Sequence, residues 1–198
     1  MLIQSRRPIT GVNTDRRALL RGAGTIGLSA AAIAIMGGCE SMAASSSASA
    51  QDADILNVAL GLEHEAINAY QLGAESGLLE KPVLNTAVLF QSHHKAHRDA
   101  LVATIKKMGG KPVAEKSMKD YATALNAGSL KSQGDVLALA ARLEKGAANA
   151  YLGVIPSFSD KGLSQVSARL AADETMHWTV LASAIGQSLP DKALSFGA

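Results

Sequence analysis

Residues 62–70 read Leu-Glu-His-Glu-Ala-Ile-Asn-Ala-Tyr and residues 143–151 read Leu-Glu-Lys-Gly-Ala-Ala-Asn-Ala-Tyr, so the pattern L-E-x-x-A-x-N-A-Y occurs twice. Eighty residues separate two copies of a second pattern, H-x-x-x-L-x-x-x-I, which begin at His97 and at His177. Both patterns have the spacing of an amphipathic helix. Two copies of one helical hairpin predict a pseudo-symmetric bundle in which equivalent residues face one another across its axis.

Four long helices are predicted around these repeats, and strand patterns are almost absent. The helices are expected at about residues 54–76, 82–109, 135–155 and 163–185. Asp52 or Asp54 is the expected cap of the first helix, and Gly77 ends it. Because the joins within each pair are short, helices 1 and 2 form one antiparallel hairpin and helices 3 and 4 form another.

The connection between the two hairpins, residues 111–133, is much longer and contains a short predicted helix at Met118–Asn126. Its length allows it to cross the bundle. The sequence therefore predicts an all-α four-helix bundle built from two repeated hairpins with one long crossover. The bundle is expected over residues 52–187, followed by a C-terminal tail at residues 188–198.

The charged residues are unevenly distributed along the chain. Residues 1–50 contain five arginines against Asp15 and Glu40, which gives them a charge of +3 and leaves residues 51–198 at −1 of the total of +2. Residues 51–198 show no basic stripe, which argues against nucleic acid as a partner. The single cysteine, Cys39, precedes them, so a disulfide framework and a Cys-based zinc site are excluded there.

The first 38 residues have the character of an export signal. Arg16-Arg17 precedes a weakly apolar, Gly- and Ala-rich run from Gly22 to Met36, which is short for a membrane span. An arginine pair in this position resembles a twin-arginine signal, which engages the machinery that exports folded proteins. The alternative is an ordinary secretory signal with an incidental arginine pair. Both interpretations place the domain in the periplasm or cell envelope.

Two processing sites are compatible with this leader. Residues 36–39, Met-Gly-Gly-Cys, are similar to a lipobox, which predicts lipidation of Cys39 and attachment to a membrane. Residues 48–50, Ala-Ser-Ala, form an A-x-A site before Gln51. The Ser- and Ala-rich residues 39–51 are expected to be a flexible tether.

Glu63 and Glu144 occupy the same position in the two repeats, each in the middle of an apolar helical stripe. A buried, unpaired carboxylate is costly, so each must be neutralised, paired with an Arg or Lys inside the bundle, or bound to a cation. Tyr70 and Tyr151 follow two turns later. They are interpreted either as core residues with bonded hydroxyls or as electron carriers near a redox metal.

Helix 4 carries an E-x-x-H motif from Glu174 to His177, a spacing that places both side chains on one face. The repeat aligns His97 with His177 and His94 with Glu174, so helix 2 offers H-x-x-H in the same position. A register one turn earlier, Gln91-x-x-His94, disagrees with the repeat. One Glu from each of helices 1 and 3 and one such pair from each of helices 2 and 4 are typical of dinuclear carboxylate bundles.

With these motifs, residues 52–187 resemble the ferritin-like superfamily, and exported bacterial ferritin-like domain proteins in particular. The resemblance implies metal ligands at Glu63, Glu144, Glu174 and His177, with His97 as the second histidine. It also implies one or two transition-metal ions as cofactors, with Fe expected and Mn or Zn as alternatives.

One ligand position departs from the family pattern. His94 stands where the family usually has a Glu that commonly bridges two metal ions. Imidazole does not bridge in the same way and removes one negative charge, which leaves two divalent ions less fully neutralised. Nitrogen-rich ligation favours Zn, Cu or a single Fe ion, so a mononuclear site stays open. His64 and His93 are interpreted as surface or packing residues.

Three functions are compatible with these residues. The first is a redox enzyme of the ferroxidase, peroxidase or catalase type, which uses the metal to react with oxygen or peroxide. The second is a metal-binding or storage protein without turnover. The third is a structural, stress-related bundle with a degenerate metal site. A homodimer through exposed helix faces is compatible with each of them, and the fold by analogy does not choose among them.

Overall fold

A computed structural model describes the backbone of residues 30–197 and the side chains of residues 47–197. The chain divides into two compact units, residues 1–40 and residues 41–198, and the described part of the first unit is helical. The Arg16-Arg17 pair of the predicted export signal and the side chain of Cys39 lie outside the described residues. None of the helices in the described part of the chain has the length and apolar character needed to cross a membrane.

The described regular structure is entirely helical, which confirms the predicted class. The helices are α1 (Ala30–Glu75), α2 (Lys81–Lys107), α3 (Met118–Ala124), α4 (Gln133–Val154) and α5 (Lys161–Ala184). Single turns of 3-10 helix occupy Ala127–Ser129 and Ile155–Ser157. The predicted short helix in the crossover is α3, and the predicted second, third and fourth long helices are α2, α4 and α5.

The predicted start of the first helix near Asp54 is wrong, because α1 is helical from Ala30, the first described residue, and includes the residues that were expected to form a tether. Alanine has the highest helix propensity, and residues 30–53 contain no proline that would stop the helix. Asp52 is therefore not a cap. Its buried carboxylate accepts hydrogen bonds from the backbone N–H groups of Ser159, at 2.9 Å, and Asp160, at 3.1 Å.

The other helices begin and end at the residue types that the sequence offers. Ser132 caps α4 by accepting a hydrogen bond from the N–H of Asp135, and Asp160 caps α5 by accepting one from the N–H of Gly162. Beyond α1 and α2, Gly77 and Gly109 adopt φ values of 69° and 80°, the left-handed conformation that favours glycine. These residues set the starts of α4 and α5 and the ends of α1 and α2.

Hydrogen bonds between side chain and backbone join the helices of each hairpin. Gln91 Nε2 donates to the carbonyl of Ile67 at 3.0 Å between α2 and α1. Ser167 Oγ donates to the carbonyl of Tyr151 at 2.8 Å between α5 and α4. Both contacts are buried, so they satisfy backbone oxygens where water is excluded.

The crossover between α2 and α4 runs along one face of α1. Asn57 binds both ends of a short segment, donating to the carbonyl of Lys111 at 3.1 Å and accepting from the N–H of Val113 at 2.7 Å. About three turns further along α1, Asn68 donates to Glu115 Oε1 at 2.6 Å. The polar face of α1 therefore holds the crossover in place.

The repeat also governs how the loops are attached. Asp52 at the bundle end of α1 accepts the N–H of Asp160 from the α4–α5 loop. Gln133, at the equivalent position in α4, accepts the N–H of Glu80 from the α1–α2 loop at 2.8 Å. Each hairpin thus fastens the loop of the other one, as a pseudo-two-fold arrangement requires.

The apolar core consists of two clusters. The Tyr151 cluster contains Leu56, Ala59, Leu60, Leu101, Ile105, Tyr151, Leu163, Leu170 and Ala171. The Tyr70 cluster contains Tyr70, Ala87, Phe90, Leu137, Ala141, Trp178, Leu181 and Ala182. The C-terminal residues return to the second cluster, where Phe196 packs edge-on against Trp178 at 5.1 Å between ring centroids.

Candidate metal centre

The structure brings all six predicted ligands together inside the bundle, and all of them are buried. Glu63 comes from α1, His94 and His97 come from α2, Glu144 comes from α4, and Glu174 and His177 come from α5. The i, i+3 spacing on α2 and α5 turns both members of each pair inward.

The donor atoms form two overlapping sets of four residues. The first set is Glu63, His94, His97 and Glu174, and the second is His94, Glu144, Glu174 and His177. Within each set the donor atoms lie within 4.8 Å of one another. The sets share His94 and Glu174, the pair that the repeat aligns. The sets are therefore related by the same pseudo-symmetry as the hairpins.

His94 lies between the two sets. Its Nδ1 lies 2.8 Å from Glu63 Oε2, and its Nε2 lies 3.1 Å from Glu144 Oε1. One ring nitrogen therefore faces each half of the centre. A neutral imidazole has only one ring nitrogen with a free lone pair, so His94 serves one set at a time.

Several buried donor atoms of the cluster lack hydrogen-bond partners within the described residues. They are His97 Nδ1, His177 Nδ1, Glu144 Oε2, Glu174 Oε1 and Glu174 Oε2. His97 Nδ1 lies 3.2 Å from Glu174 Oε1, and His177 Nδ1 lies 3.4 Å from Glu174 Oε2, yet these contacts lack hydrogen-bond geometry. Buried polar groups are nearly always satisfied. Unsatisfied lone pairs that converge on one space fit a bound cation.

The two repeat tyrosines cross the bundle to bind the opposite glutamate. Tyr70 donates its hydroxyl proton to Glu144, and Tyr151 donates its hydroxyl proton to Glu63. Burial and the charge of the neighbouring carboxylate raise the pKa of both tyrosines well above the usual value, so both hydroxyls keep their protons. This agrees with the interpretation of the tyrosines as core residues with bonded hydroxyls.

Two residues outside the predicted set contact the outer nitrogens of the site histidines. Asp173 Oδ2 lies 3.2 Å from His97 Nε2, and His93 Nδ1 lies 2.9 Å from His177 Nε2. Such outer partners orient a ligand imidazole and fix which nitrogen faces the metal. The interpretation of His93 as a surface or packing residue missed this contact. The eighty-residue offset, which aligns His93 with Asp173, could have revealed it.

The pKa values show how the cluster balances its own charge. Burial would lower the pKa of His94, but its contacts with Glu144 and Glu63 raise it to about 11. Burial likewise opposes the contacts of His97 with Glu174 and Glu63, which raise its pKa to about 10. Without metal, protonated histidines therefore neutralise the carboxylates. Metal binding must displace these protons.

The alternatives from the sequence are resolved by these contacts. The ion pairs of Glu63 and Glu144 within the described residues are with histidines rather than with Arg or Lys. Gln91 donates to Ile67 and Gln71 outside the cluster, so the register with His94 and His97 is the one that faces the site. His64 is buried and packs near the crossover, with its Nε2 3.4 Å from the carbonyl of Val113.

The family model of the ferritin-like domain matches residues 51–187. The chain belongs to the ferritin-like domain family. The matched range contains the two hairpins, the crossover and all six residues of the cluster. A His and Glu cluster within a ferritin-like domain is compatible with metal binding, and it leaves the identity of the metal open.

Known structures support the same fold. The ferritin-like domain is similar to the crystal structure of a conserved hypothetical protein, Rv2844, from Mycobacterium tuberculosis, with a TM-score of 0.59 and 19% sequence identity. The similarity covers 74% of this chain and 99% of that chain. At this identity the likeness shows the fold alone. No curated protein gives a significant match to the sequence.

Proposed function

We propose that this chain is an exported ferritin-like protein that binds one or two transition-metal ions, with iron as the expected metal. The observation that carries the proposal is the convergence of unsatisfied buried donor atoms from four helices on one space. A purely structural bundle would gain stability from apolar residues at these positions, because a buried charge cluster is costly to maintain. The presence of this costly cluster therefore favours a bound metal ion.

Each half of the centre has its own set of supporting contacts. Tyr151 orients Glu63 and Tyr70 orients Glu144, while Asp173 and His93 orient the rings of His97 and His177. Bound iron would supply redox chemistry toward oxygen or peroxide. The surrounding core keeps bulk water away from the carboxylates, which strengthens their electrostatic interaction with a cation.

The second candidate is a binding or storage protein without turnover. The observation that favours it is His94, which gives the cluster three imidazoles against three carboxylates. Such a nitrogen-rich set suits zinc, an ion without redox chemistry, better than a carboxylate-rich set does.

The two candidates are separated by metal analysis and by activity. The full-length protein is purified after growth in iron, manganese or zinc, its metal content is measured, and its consumption of ferrous iron and peroxide is followed. Redox metal with turnover supports the enzyme, and stoichiometric zinc without turnover supports the binding protein. A protein that binds no metal, and whose melting temperature ignores added metal, overturns both.

The number of bound ions is tested at His94, the ligand position that departs from the family pattern. His94→Glu restores a carboxylate that can bridge both sets, so the metal content is expected to rise toward two ions per chain. His94→Gln removes the imidazole without adding charge and serves as the control. Equal metal content in the wild type and in His94→Glu would show that His94 does not limit occupancy.

We also propose that the leader exports the folded domain to the periplasm or cell envelope. Arg16→Lys combined with Arg17→Lys is expected to retain the protein in the cytoplasm, because the signal depends on the arginine pair. Cys39→Ala is expected to release the exported protein from membranes if Cys39 is lipidated. Cell fractionation followed by immunoblotting measures both effects.

A further inference from the structure

A cavity of about 190 Å³ lies beside the candidate metal centre and reaches Tyr70 and Glu144. It lies among α1, α2, α4 and α5 at the Tyr70 cluster. We propose that this cavity is a binding site for a small, neutral, apolar molecule of about the size of one aromatic ring, held against Glu144. The inference rests on the proposed function, because Glu144 is one of the proposed ligands.

The chemistry of the lining selects a neutral molecule. Nearly all lining side chains are aliphatic, and none of them, all within the described part of the chain, is Lys or Arg. The hydroxyl of Thr86 donates to the carbonyl of Pro82 at 3.2 Å, and the hydroxyl of Tyr70 donates to Glu144. An anion would find no counter-charge and would face Glu144. Polar groups of a ligand that do not reach Glu144 would lose their hydration without replacement.

The volume agrees with a ligand of one ring. An engineered apolar cavity of about 150 Å³ in another protein stays dry and binds benzene. The present cavity is somewhat larger and has one polar end, at the Tyr70 hydroxyl and the Glu144 carboxylate. Benzyl alcohol fits this description, because its ring matches the apolar wall and its hydroxyl can contact the carboxylate.

Small side chains create this space at the contact of α1 with α4. At Gly73, which lines the cavity, α1 and α4 approach closely, because a Cβ atom built there would lie 2.9 Å from Val136 Cγ1. Ala69 and Ala140 also line the cavity. In the other repeat, Val154 stands at the position equivalent to Gly73. The lining of the cavity therefore departs from the repeat at Gly73.

Binding of benzyl alcohol to the metal-free full-length protein is measured by isothermal titration calorimetry. Ala140→Leu fills the cavity from α4, and Ala138→Leu places the same substitution on the exposed face of that helix. The wild type and Ala138→Leu are expected to bind benzyl alcohol, and Ala140→Leu is expected to bind it at least about tenfold more weakly. Benzoate, which has the same ring and a negative charge, is expected to bind at least about tenfold more weakly to the wild type. Ala69→Leu fills the cavity from α1 and replaces Ala140→Leu if that variant does not fold.

Two outcomes overturn the inference: no binding of benzyl alcohol by the wild type, or equal binding by the wild type and the filled variants.

Contact with the metal centre is tested by loading the protein with Co²⁺. Benzyl alcohol is expected to shift the visible absorption of the cobalt-loaded wild type and to leave that of cobalt-loaded Ala140→Leu unchanged. Cobalt binding without any binding of benzyl alcohol overturns this inference and leaves the proposed function standing. Binding of benzyl alcohol by a wild type that takes up neither cobalt nor iron, manganese or zinc overturns the proposed function and leaves the cavity as a binding site for this class of ligand.

Discussion

The half of the bundle around Tyr151 and the half around Tyr70 come from the same repeated hairpin, but their interiors are packed differently. Around Tyr151, Met108 and Phe158 pack against the core cluster, and the tyrosine is 2% exposed. Around Tyr70, small residues leave a cavity of about 190 Å³, and the tyrosine is 7% exposed. Both tyrosines still bind the glutamate of the other hairpin.

The tyrosine–glutamate contacts are the same in both halves, whereas the surrounding packing and the outer partners of the histidines differ. Glu63 and Glu144, Tyr70 and Tyr151, and His97 and His177 keep equivalent positions in the two halves, whereas His94 aligns with Glu174. The outer partner of the ligand histidine is an aspartate in one half and a histidine in the other. The two halves therefore differ in their packing, in their outer partners and in the aligned pair His94 and Glu174.

The largest effect is expected from Glu174, because both ligand sets contain it. Loss of an outer partner typically weakens metal binding about 10–100-fold, and loss of a shared ligand should exceed this in both halves. Glu144→Ala should affect mainly the second set. Metal content after equilibrium dialysis measures the losses, with Glu65→Ala as the control. Normal metal binding by Glu174→Ala would falsify the ligand assignment.

The packing difference is tested by the same substitution at equivalent positions. Ala59→Leu adds volume to the filled Tyr151 cluster and should lower the free energy of unfolding by about 1–3 kcal/mol. Ala140→Leu enters the cavity and should raise it by about 0.5–2 kcal/mol. Urea denaturation of the metal-free proteins measures both values. If both variants lose stability equally, the two halves are packed alike.

The two tyrosine hydroxyls should differ in their contribution to stability. Tyr151→Phe removes the hydroxyl that donates to Glu63 Oε1 within an apolar cluster and should cost about 2 kcal/mol of unfolding free energy. Tyr70→Phe should cost less, about 1 kcal/mol or below, because water at the polar end of the adjacent cavity, next to Glu144, can take the place of the hydroxyl. Urea denaturation under identical conditions compares them. The reverse order would mean that the cavity does not admit water.

Among the ligand and outer-partner variants, the smallest effect on metal affinity is expected at the outer partners. Asp173→Ala removes a carboxylate from His97, and His93→Ala removes an imidazole from His177. Both should weaken metal binding within the range of about 10–100-fold, and Asp173→Ala should be the stronger of the two because a charged acceptor binds more tightly. Competition with a chelator gives the affinities. Unchanged metal affinity in both variants would show that Asp173 and His93 do not orient the ligand histidines.

Much of the candidate site could be predicted from the sequence. Glu63 and Glu144 stand out because a carboxylate in an apolar helical stripe is costly and needs a partner. The offset between His97 and His177 then fixes the register of α2 against α5. These predictions concern positions on single helices, where the 3.6-residue period determines which side chains share a face.

The helical period alone predicted neither the start of α1 nor the contact of His93. Asp52 has the chemistry of a helix cap, but its carboxylate binds the N–H groups of a loop more than a hundred residues away in the chain. His93 has the spacing of a surface residue, and its partner His177 lies on another helix. Helical periodicity does not encode such partners, because they depend on how the helices pack.

By itself, the sequence determined the helical class, the two hairpins, the crossover and the six inward-facing donors, because repeat and periodicity are local properties of the chain. Only the tertiary structure decided that Tyr70 binds Glu144 and Tyr151 binds Glu63, rather than each binding within its own repeat. Only the tertiary structure shows the cavity beside Tyr70 and the apolar cluster that surrounds Tyr151. The physical reason is that these features depend on the volumes and distances between helices, which side chains from all parts of the chain set together.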